Sequence, residues 1–191
     1  MTTINESAMC YTYADYEKWD DEARYELIDG VAYMLSAPSR RHQEILLELA
    51  FRFKGYFDDK PCKVYMAPFD VRLNFDSKDD TVVQPDLLVV CDKSKLDEKG
   101  CNGAPDFIIE VASPSSLGRD AMVKLTKYMQ AGVREYWVVD PQNKSVLVAL
   151  LENNGEYAAE LFRYDTEAVH ATIFDNLSIN MREIFDQIND F

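Results

Sequence analysis

The sequence predicts an α/β fold in which a mixed sheet carries an N-terminal hairpin and has helices on both faces. Two long segments, residues 39–57 and 117–131, repeat apolar side chains at helical spacing, with polar side chains between them. Two short runs, residues 86–91 and 107–112, are apolar on both faces, as central strands covered from both sides must be. These segments together indicate a buried sheet with a helix on each side.

The hairpin is predicted by an Asp-Gly pair between two apolar runs. Asp29 and Gly30 separate residues 25–28 from residues 31–35, and this pair favours a tight turn between antiparallel strands. The same interpretation of turns and periodicity predicts the remaining strands at 63–66, 69–73, 135–139, 145–151 and 157–164, and short helices at 13–23 and 180–188.

The charge of the chain limits its function. The 191 residues include 34 Asp and Glu against 20 Lys and Arg, which gives a formal net charge of −14 at pH 7. This charge excludes a protein that coats nucleic acid nonspecifically, because such a protein would repel the phosphates. A polyanion can be bound only through a local basic patch or through a cation held by clustered carboxylates.

Length and composition predict one domain over residues 1–191, with its core at about 25–141 and C-terminal strands and a short helix at 142–191. The cysteines are spaced too irregularly for a zinc or redox motif, which predicts four reduced thiols at Cys10, Cys62, Cys91 and Cys101. No signal-peptide pattern or membrane-length apolar run is present, so we expect a cytoplasmic protein that does not enter a membrane.

Glu110 needs an explanation, because it interrupts an apolar run in a strand predicted to be buried. A buried carboxylate is costly unless a cation, hydrogen bonds or a raised pKa compensate for its burial. If the two central strands pair antiparallel, with a register centred on residue 98, Asp86 lies opposite Glu110 on the same face. Since Mg²⁺ prefers carboxylate and carbonyl oxygens, we predict a metal site formed by Asp86, Glu110 and the carbonyl of Val111.

The second long helix adds a stripe of charged side chains beside this pair. Asp120, Lys124 and Lys127 fall at positions i, i+4 and i+7, so they share one side of the helix. Lys124 is predicted to reach the sheet edge and to position a water for attack on phosphorus, with Asp120 as an accessory acid. Arg119 and Lys127 are predicted to hold flanking phosphates.

Four ordered segments carry a resemblance to a known family. They are Gln84-Pro85-Asp86, Glu110-Val111-Ala112-Ser113-Pro114-Ser115, Asp120-Ala121-Met122-Val123-Lys124 and the stretch from Tyr128 to Pro141. In this order they resemble the PD-(D/E)xK nuclease superfamily and, more narrowly, its Uma-two type restriction endonuclease family. Residues 25–30, 38–42 and 68–73 also fit that family, so the resemblance spans about residues 25–141.

The resemblance implies a restriction-endonuclease-like core in which Asp86 and Glu110 bind Mg²⁺ or Mn²⁺. It also implies DNA as the nucleic acid, a homodimer, and Glu26 as an accessory acidic residue. The chain departs from the superfamily at Ala112, two residues after Glu110, where a lysine usually stands. Lys124 would then take the place of that lysine from the helix.

Each of these candidate site residues also has an alternative, purely structural interpretation. Asp86 could serve only as the residue that begins a strand after a proline. Glu110 could be a structural carboxylate that forms an ion pair with Lys124. Lys124 beside an apolar stripe is also consistent with simple snorkelling to solvent. His42 lies at the start of the first long helix. It is predicted to bind substrate phosphate, to assist at the site, or to serve only as a polar helix entry.

The sequence is therefore compatible with two functions of different classes. The first is a metal-dependent endonuclease that hydrolyses phosphodiester bonds, with DNA as its substrate. The second is a noncatalytic interaction module that retains the fold, which the charge of −14 and the alanine at position 112 favour. A metal phosphoesterase that acts on a small substrate is a third interpretation of the same residues.

Overall fold

The computed structural model describes residues 2–3, 10–20, 22–75, 77–113, 119–165 and 168–187, without the side chains of residues 2–3, 119–121 and 187. The helices are α1 (Tyr13–Tyr16), α2 (Arg40–Phe57), α3 (Arg119–Ala131) and α4 (Met181–Gln187). The strands are β1 (Thr2–Thr3), β2 (Tyr25–Ile28), β3 (Val31–Met34), β4 (Lys63–Met66), β5 (Asp70–Arg72), β6 (Val82–Val83), β7 (Leu87–Val90), β8 (Gly100–Asn102), β9 (Phe107–Val111), β10 (Glu135–Asp140), β11 (Ser145–Leu151), β12 (Tyr157–Arg163), β13 (Val169–His170) and β14 (Ser178–Ile179).

The central sheet has the strand order β12-β11-β10-β9-β7-β4. β9 and β10 are parallel, and β7 and β9 are antiparallel with Leu87 opposite Ile109 and Val89 opposite Phe107. This register is centred on residue 98, as the sequence predicts. If this register is extended by one residue, Asp86 lies opposite Glu110.

Two apolar layers cover this sheet. On one face, α2 and α4 pack against odd-numbered side chains of β7, β9 and β10, and Phe53 of α2 contacts the rings of Phe107 and Trp137. On the other face, α3 packs through Tyr128, whose ring meets Tyr136 of β10 edge-on. Helices therefore lie on both faces of the sheet, as predicted.

The N-terminal hairpin belongs to a second sheet, whose strand order is β1-β3-β2-β6-β5-β8. Its turn has φ of 52° at Asp29 and 74° at Gly30, the conformation that the Asp-Gly pair predicts. The sequence does not reveal β6 and β8, because strands this short are too brief to display a period. Leu27 pairs with Val82, and this pairing sets β2 beside the chain that leads into β7.

One sequence expectation is wrong. Cys62 and Cys91 form a disulfide, whereas all four thiols were expected to be reduced; Cys10 and Cys101 are free thiols. The two bonded residues follow directly from the pairing of Lys63 with Val90, so they form the next rung of the β4–β7 ladder. The spacing of the cysteines in the sequence could not predict this disulfide, because the two residues become neighbours only when β4 pairs with β7.

None of the described helices is long and apolar enough to cross a bilayer. The predicted cytoplasmic location stays a prediction.

Gly100 offers a test of how tightly the second sheet is packed. A β-carbon at Gly100 would lie 2.1 Å from the backbone oxygen of Asp70, whereas one at Gly55 on α2 would meet nothing within 4 Å. We expect Gly100→Ala to lower the free energy of unfolding by roughly 1–3 kcal/mol, and Gly55→Ala to raise it by about 0.5–1 kcal/mol. Urea unfolding of both variants measures this, and a Gly100→Ala protein as stable as wild type would contradict the packing.

Candidate active site

The predicted catalytic residues converge on one cleft. Asp86 at the start of β7, Glu110 on β9 and Lys124 on α3 all line it, together with Glu26 on β2. The cavity has a volume of about 310 Å³, and Val111 and His42 also contribute to its wall. Residues far apart in the sequence are therefore assembled where the ends of the two central strands meet the hairpin.

Lys124 lies between two carboxylates. Its Nζ donates to Oε1 of Glu26 at 2.8 Å and to Oε1 of Glu110 at 2.9 Å. Burial alone would favour the neutral amine, but the charges of Glu110 and Glu26 outweigh it, so the pKa of Lys124 is raised. Lys124 is consequently a fixed cation at neutral pH.

Glu110 is held by a second donor, a tyrosine of α3. The hydroxyl of Tyr128, one helical turn after Lys124, donates to Oε1 of Glu110 at 2.8 Å. Burial raises the pKa of Glu110 to about 7, and the charges of Asp86 and Glu26 add to the increase while Lys124 opposes it. The spacing of Lys124 and Tyr128 at i and i+4 was the only signal of this contact in the sequence.

Asp86 is fixed from two sides through the same oxygen. Its Oδ2 accepts a hydrogen bond from the backbone N–H of Val111 at 2.7 Å and lies 2.9 Å from Nε2 of His42. Burial would lower the pKa of His42, but the hydrogen bond and charge of Asp86 outweigh this effect and raise it. His42 therefore contacts a carboxylate of the site rather than forming only a polar helix entry.

Glu26 is completely buried, and its two carboxylate oxygens differ in their hydrogen bonding. Oε1 accepts from Lys124 and from the backbone N–H of Gln84 at 2.8 Å. Oε2 is buried without a hydrogen-bond partner in the part of the chain that the structure describes. An unsatisfied carboxylate oxygen beside two further carboxylates marks a place where a cation would be stabilised.

Not every predicted residue lies at the cleft. Lys127 faces away to the hairpin turn, where its Nζ donates to Oδ1 of Asp29 at 2.7 Å. Arg119 and Asp120 begin α3, but their side chains lie outside the described residues. The proposed role of the Val111 carbonyl stays a prediction, since the contact found at this residue is made by its N–H.

Arg24 was missed by the sequence analysis. It lines the cleft, and its Nε and Nη2 donate to Oε1 of Gln84 at 3.0 and 2.7 Å. The signal that could have found it is the alternation of β2, which sets Arg24 and Glu26 on the same side of the chain.

The carboxylates are close to one another but are not prearranged around an ion. Within the described residues, no group of three or more His, Cys, Asp or Glu side chains has the geometry to hold a metal. Lys124 accounts for part of this arrangement, because its ammonium group binds one oxygen of Glu26 and one oxygen of Glu110.

The fold defines the class of protein. It matches the crystal structure of a protein from Anabaena variabilis ATCC 29413 described as a "putative nuclease belonging to DUF820", with a TM-score of 0.76. The two chains are 18% identical, and the match covers 93% of this chain and 99% of that one. At this identity the likeness shows the fold alone, a mixed α/β architecture.

The sequence defines the family. The family model Uma2, described as "Putative restriction endonuclease", matches residues 13–182, so the chain belongs to this family. A curated relative, the uncharacterized protein slr1290 of Synechocystis sp. (strain ATCC 27184 / PCC 6803 / Kazusa), is 25% identical over 116 residues. That match spans 60% of this chain and 60% of the relative's length.

The raised pKa of Glu110 predicts how stability depends on pH. The folded protein holds this proton up to about pH 7, while the unfolded chain releases it near pH 4.5. The free energy of unfolding should therefore fall as pH rises through this window, by roughly 1–3 kcal/mol from this group. Glu110→Gln should remove that component.

Urea unfolding at pH 5 and at pH 8, with EDTA present, measures the difference between wild type and Glu110→Gln. Glu98→Gln, the same change at an exposed position, is the control and should follow wild type. If the stability difference between wild type and Glu110→Gln is the same at both pH values, the burial of Glu110 does not have the stated effect.

Proposed function

We propose that this protein is a metal-dependent endonuclease that hydrolyses phosphodiester bonds of DNA. The observation that carries the proposal is the convergence of Asp86, Glu110 and Lys124 on one cleft, with Nζ of Lys124 2.9 Å from Glu110. Membership of the Uma2 family supports nuclease chemistry. DNA as the substrate and Mg²⁺ or Mn²⁺ as the metal are our own inferences.

The charges of the cleft fit a divalent cation. Three carboxylates, Glu26, Asp86 and Glu110, line the cleft with two permanent cations, Lys124 and Arg24. A divalent ion would offset the repulsion between these closely placed carboxylates. Carboxylate oxygens are the ligands that Mg²⁺ and Mn²⁺ prefer. The buried, unpartnered Oε2 of Glu26 adds a further oxygen of the same kind.

A divalent ion bound there supplies Lewis-acid activation of water and of the phosphate group. The chain itself orients the carboxylates: His42 and the N–H of Val111 fix Asp86, and Tyr128 fixes Glu110. The charges of Glu110 and Glu26 raise the pKa of Lys124, so we assign to Lys124 the role of a hydrogen-bond donor that stabilises negative charge.

A specific observation also favours the second candidate, a noncatalytic interaction module. Lys124 already pairs with both Glu26 and Glu110, which is the contact that a purely structural carboxylate would make. Calorimetric titration with Mn²⁺ separates the two functions, since a module without a metal site gives no heat that depends on Asp86. The homodimer, the single domain and the cytoplasmic location stay predictions.

Nicking of supercoiled plasmid in Mg²⁺ or Mn²⁺ tests the nuclease. We expect metal-dependent nicking by wild type, and a loss of at least about 100-fold in Asp86→Asn and Glu110→Gln, because each removes a charge that orders the site. EDTA should abolish nicking by wild type.

Asp59→Asn is the matched control, because it makes the same change at an exposed position outside the cleft. Circular dichroism confirms that each variant is folded. Nicking by Asp86→Asn at the wild-type rate would show that the activity does not come from this cleft, and RNA cleavage without DNA cleavage would overturn the choice of substrate.

A further inference from the structure

The cleft presents an electrostatic problem for any nucleic acid. Its walls carry three carboxylates, and the whole chain carries a net charge of −14. Lys124 does not solve the problem, because its ammonium is already shared between Glu26 and Glu110. The proposed metal ion would offset the carboxylates at the reacting phosphodiester, and a further cation in the cleft would be needed to hold a neighbouring one.

Arg24 is such a cation. Among the described residues its guanidinium forms hydrogen bonds to the neutral side-chain amide of Gln84 and no ion pair with a carboxylate. Two of its N–H groups are used in this contact, whereas a guanidinium has about five. The charge of Arg24 also acts on the nearby carboxylate of Asp70, whose burial-raised pKa it lowers. The N–H groups of Arg24 that do not contact Gln84 are still available to an anion.

Gln84 holds this guanidinium in place without cancelling its charge. The amide Nε2 of Gln84 donates to Oδ1 of Asp70 at 2.9 Å and to the hydroxyl of Tyr16 at 3.2 Å. Its backbone N–H binds Glu26, the carboxylate that Lys124 also contacts. One residue thus ties the position of Arg24 to that of Glu26, which shares Lys124 with the predicted metal ligand Glu110.

A fixed guanidinium is well suited to phosphate. Its planar donors match two oxygens of one phosphate group, and fixing the side chain beforehand reduces the entropy lost on binding. Arg24 also lines the same cavity as Asp86 and Glu110, so a phosphate bound to it lies in the cleft and not on a distant surface.

We propose that Arg24 is a phosphate-binding residue that anchors a phosphodiester of the nucleic-acid backbone next to the one that is hydrolysed. This inference rests on the proposed function and adds to it the contact by which an acidic protein retains a polyanion. Gln84 is the positioning residue, since it acts through Arg24.

Binding without turnover tests the anchor. In an Asp86→Asn background, the affinity for a short fluorescein-labelled DNA duplex is measured by anisotropy over a series of salt concentrations. Adding Arg24→Gln should weaken binding roughly fivefold to tenfold and lower the slope of log affinity against log salt by about 1. Arg24→Lys should keep the slope but lose affinity, because an ammonium cannot form the two-pronged contact.

Arg134→Gln is the matched control. Arg134 is exposed, pairs with Asp106 at 3.3 Å and does not line the cleft, so its loss removes the same charge elsewhere. This variant should bind with the parent affinity and slope. If thermal melting shows that Arg24→Gln is unfolded, Arg24→Lys decides: reduced affinity supports the anchor, and unchanged affinity overturns it.

The outcomes separate this inference from the function on which it rests. Plasmid nicking by wild type, together with Arg24→Gln binding at the parent affinity and slope, overturns the anchor and leaves the nuclease intact. Binding that depends on Arg24 without nicking supports the anchor and overturns hydrolysis. No binding of the duplex by the parent protein overturns the anchor, whereas the absence of plasmid nicking by wild type overturns the nuclease.

Discussion

The contact of Lys124 with Glu26 and Glu110 is the constraint on which the site depends. It joins three elements, β2 of the hairpin sheet, β9 of the central sheet and α3, through one ammonium group. Two carboxylates buried side by side repel each other unless a cation lies between them or one of them takes up a proton, and removing one partner of a buried ion pair costs roughly 3–5 kcal/mol. The hairpin, the sheet and the helix are therefore held in one arrangement by the same interaction that shapes the cleft.

The structural and catalytic interpretations of this contact do not exclude each other. A lysine that neutralises buried carboxylates also stays charged, and a permanently charged lysine can stabilise a developing anion. The same holds for Tyr128, which fills the core below α3 and also orients Glu110. Residues that keep the fold together thus also set the geometry on which the proposed chemistry relies.

Simple periodicity was enough to find the metal-binding candidates. Asp86 and Glu110 could be paired from the sequence because strand side chains alternate and the loop between the strands fixes the centre of the register. Lys124 could be found because helical spacing sets it beside the apolar stripe. The family resemblance added Glu26, which β2 alone gave no reason to select.

The partners of these residues could not be predicted in the same way. Arg24 meets Gln84 and Asp86 meets His42 across separations of 60 and 44 residues, and neither separation follows any local period. The Cys62–Cys91 bond and the strands β6 and β8 escaped for the same reason, since each exists only because distant segments are already aligned. The periodicity of the sequence identifies side chains that lie on the same face of a helix or strand. Tertiary packing determines which residues those side chains contact.

The C-terminal segment has a consequence for how the chain is made. Glu135, buried at the start of β10, accepts hydrogen bonds from Nε1 of Trp137 and from the backbone N–H of Ile173. Phe174, Ile184 and other side chains up to residue 185 complete the apolar layer beneath α2. The part of this layer that residues 169–185 cover has no apolar partner until they have been synthesised, so the layer is complete only when residue 185 is in place.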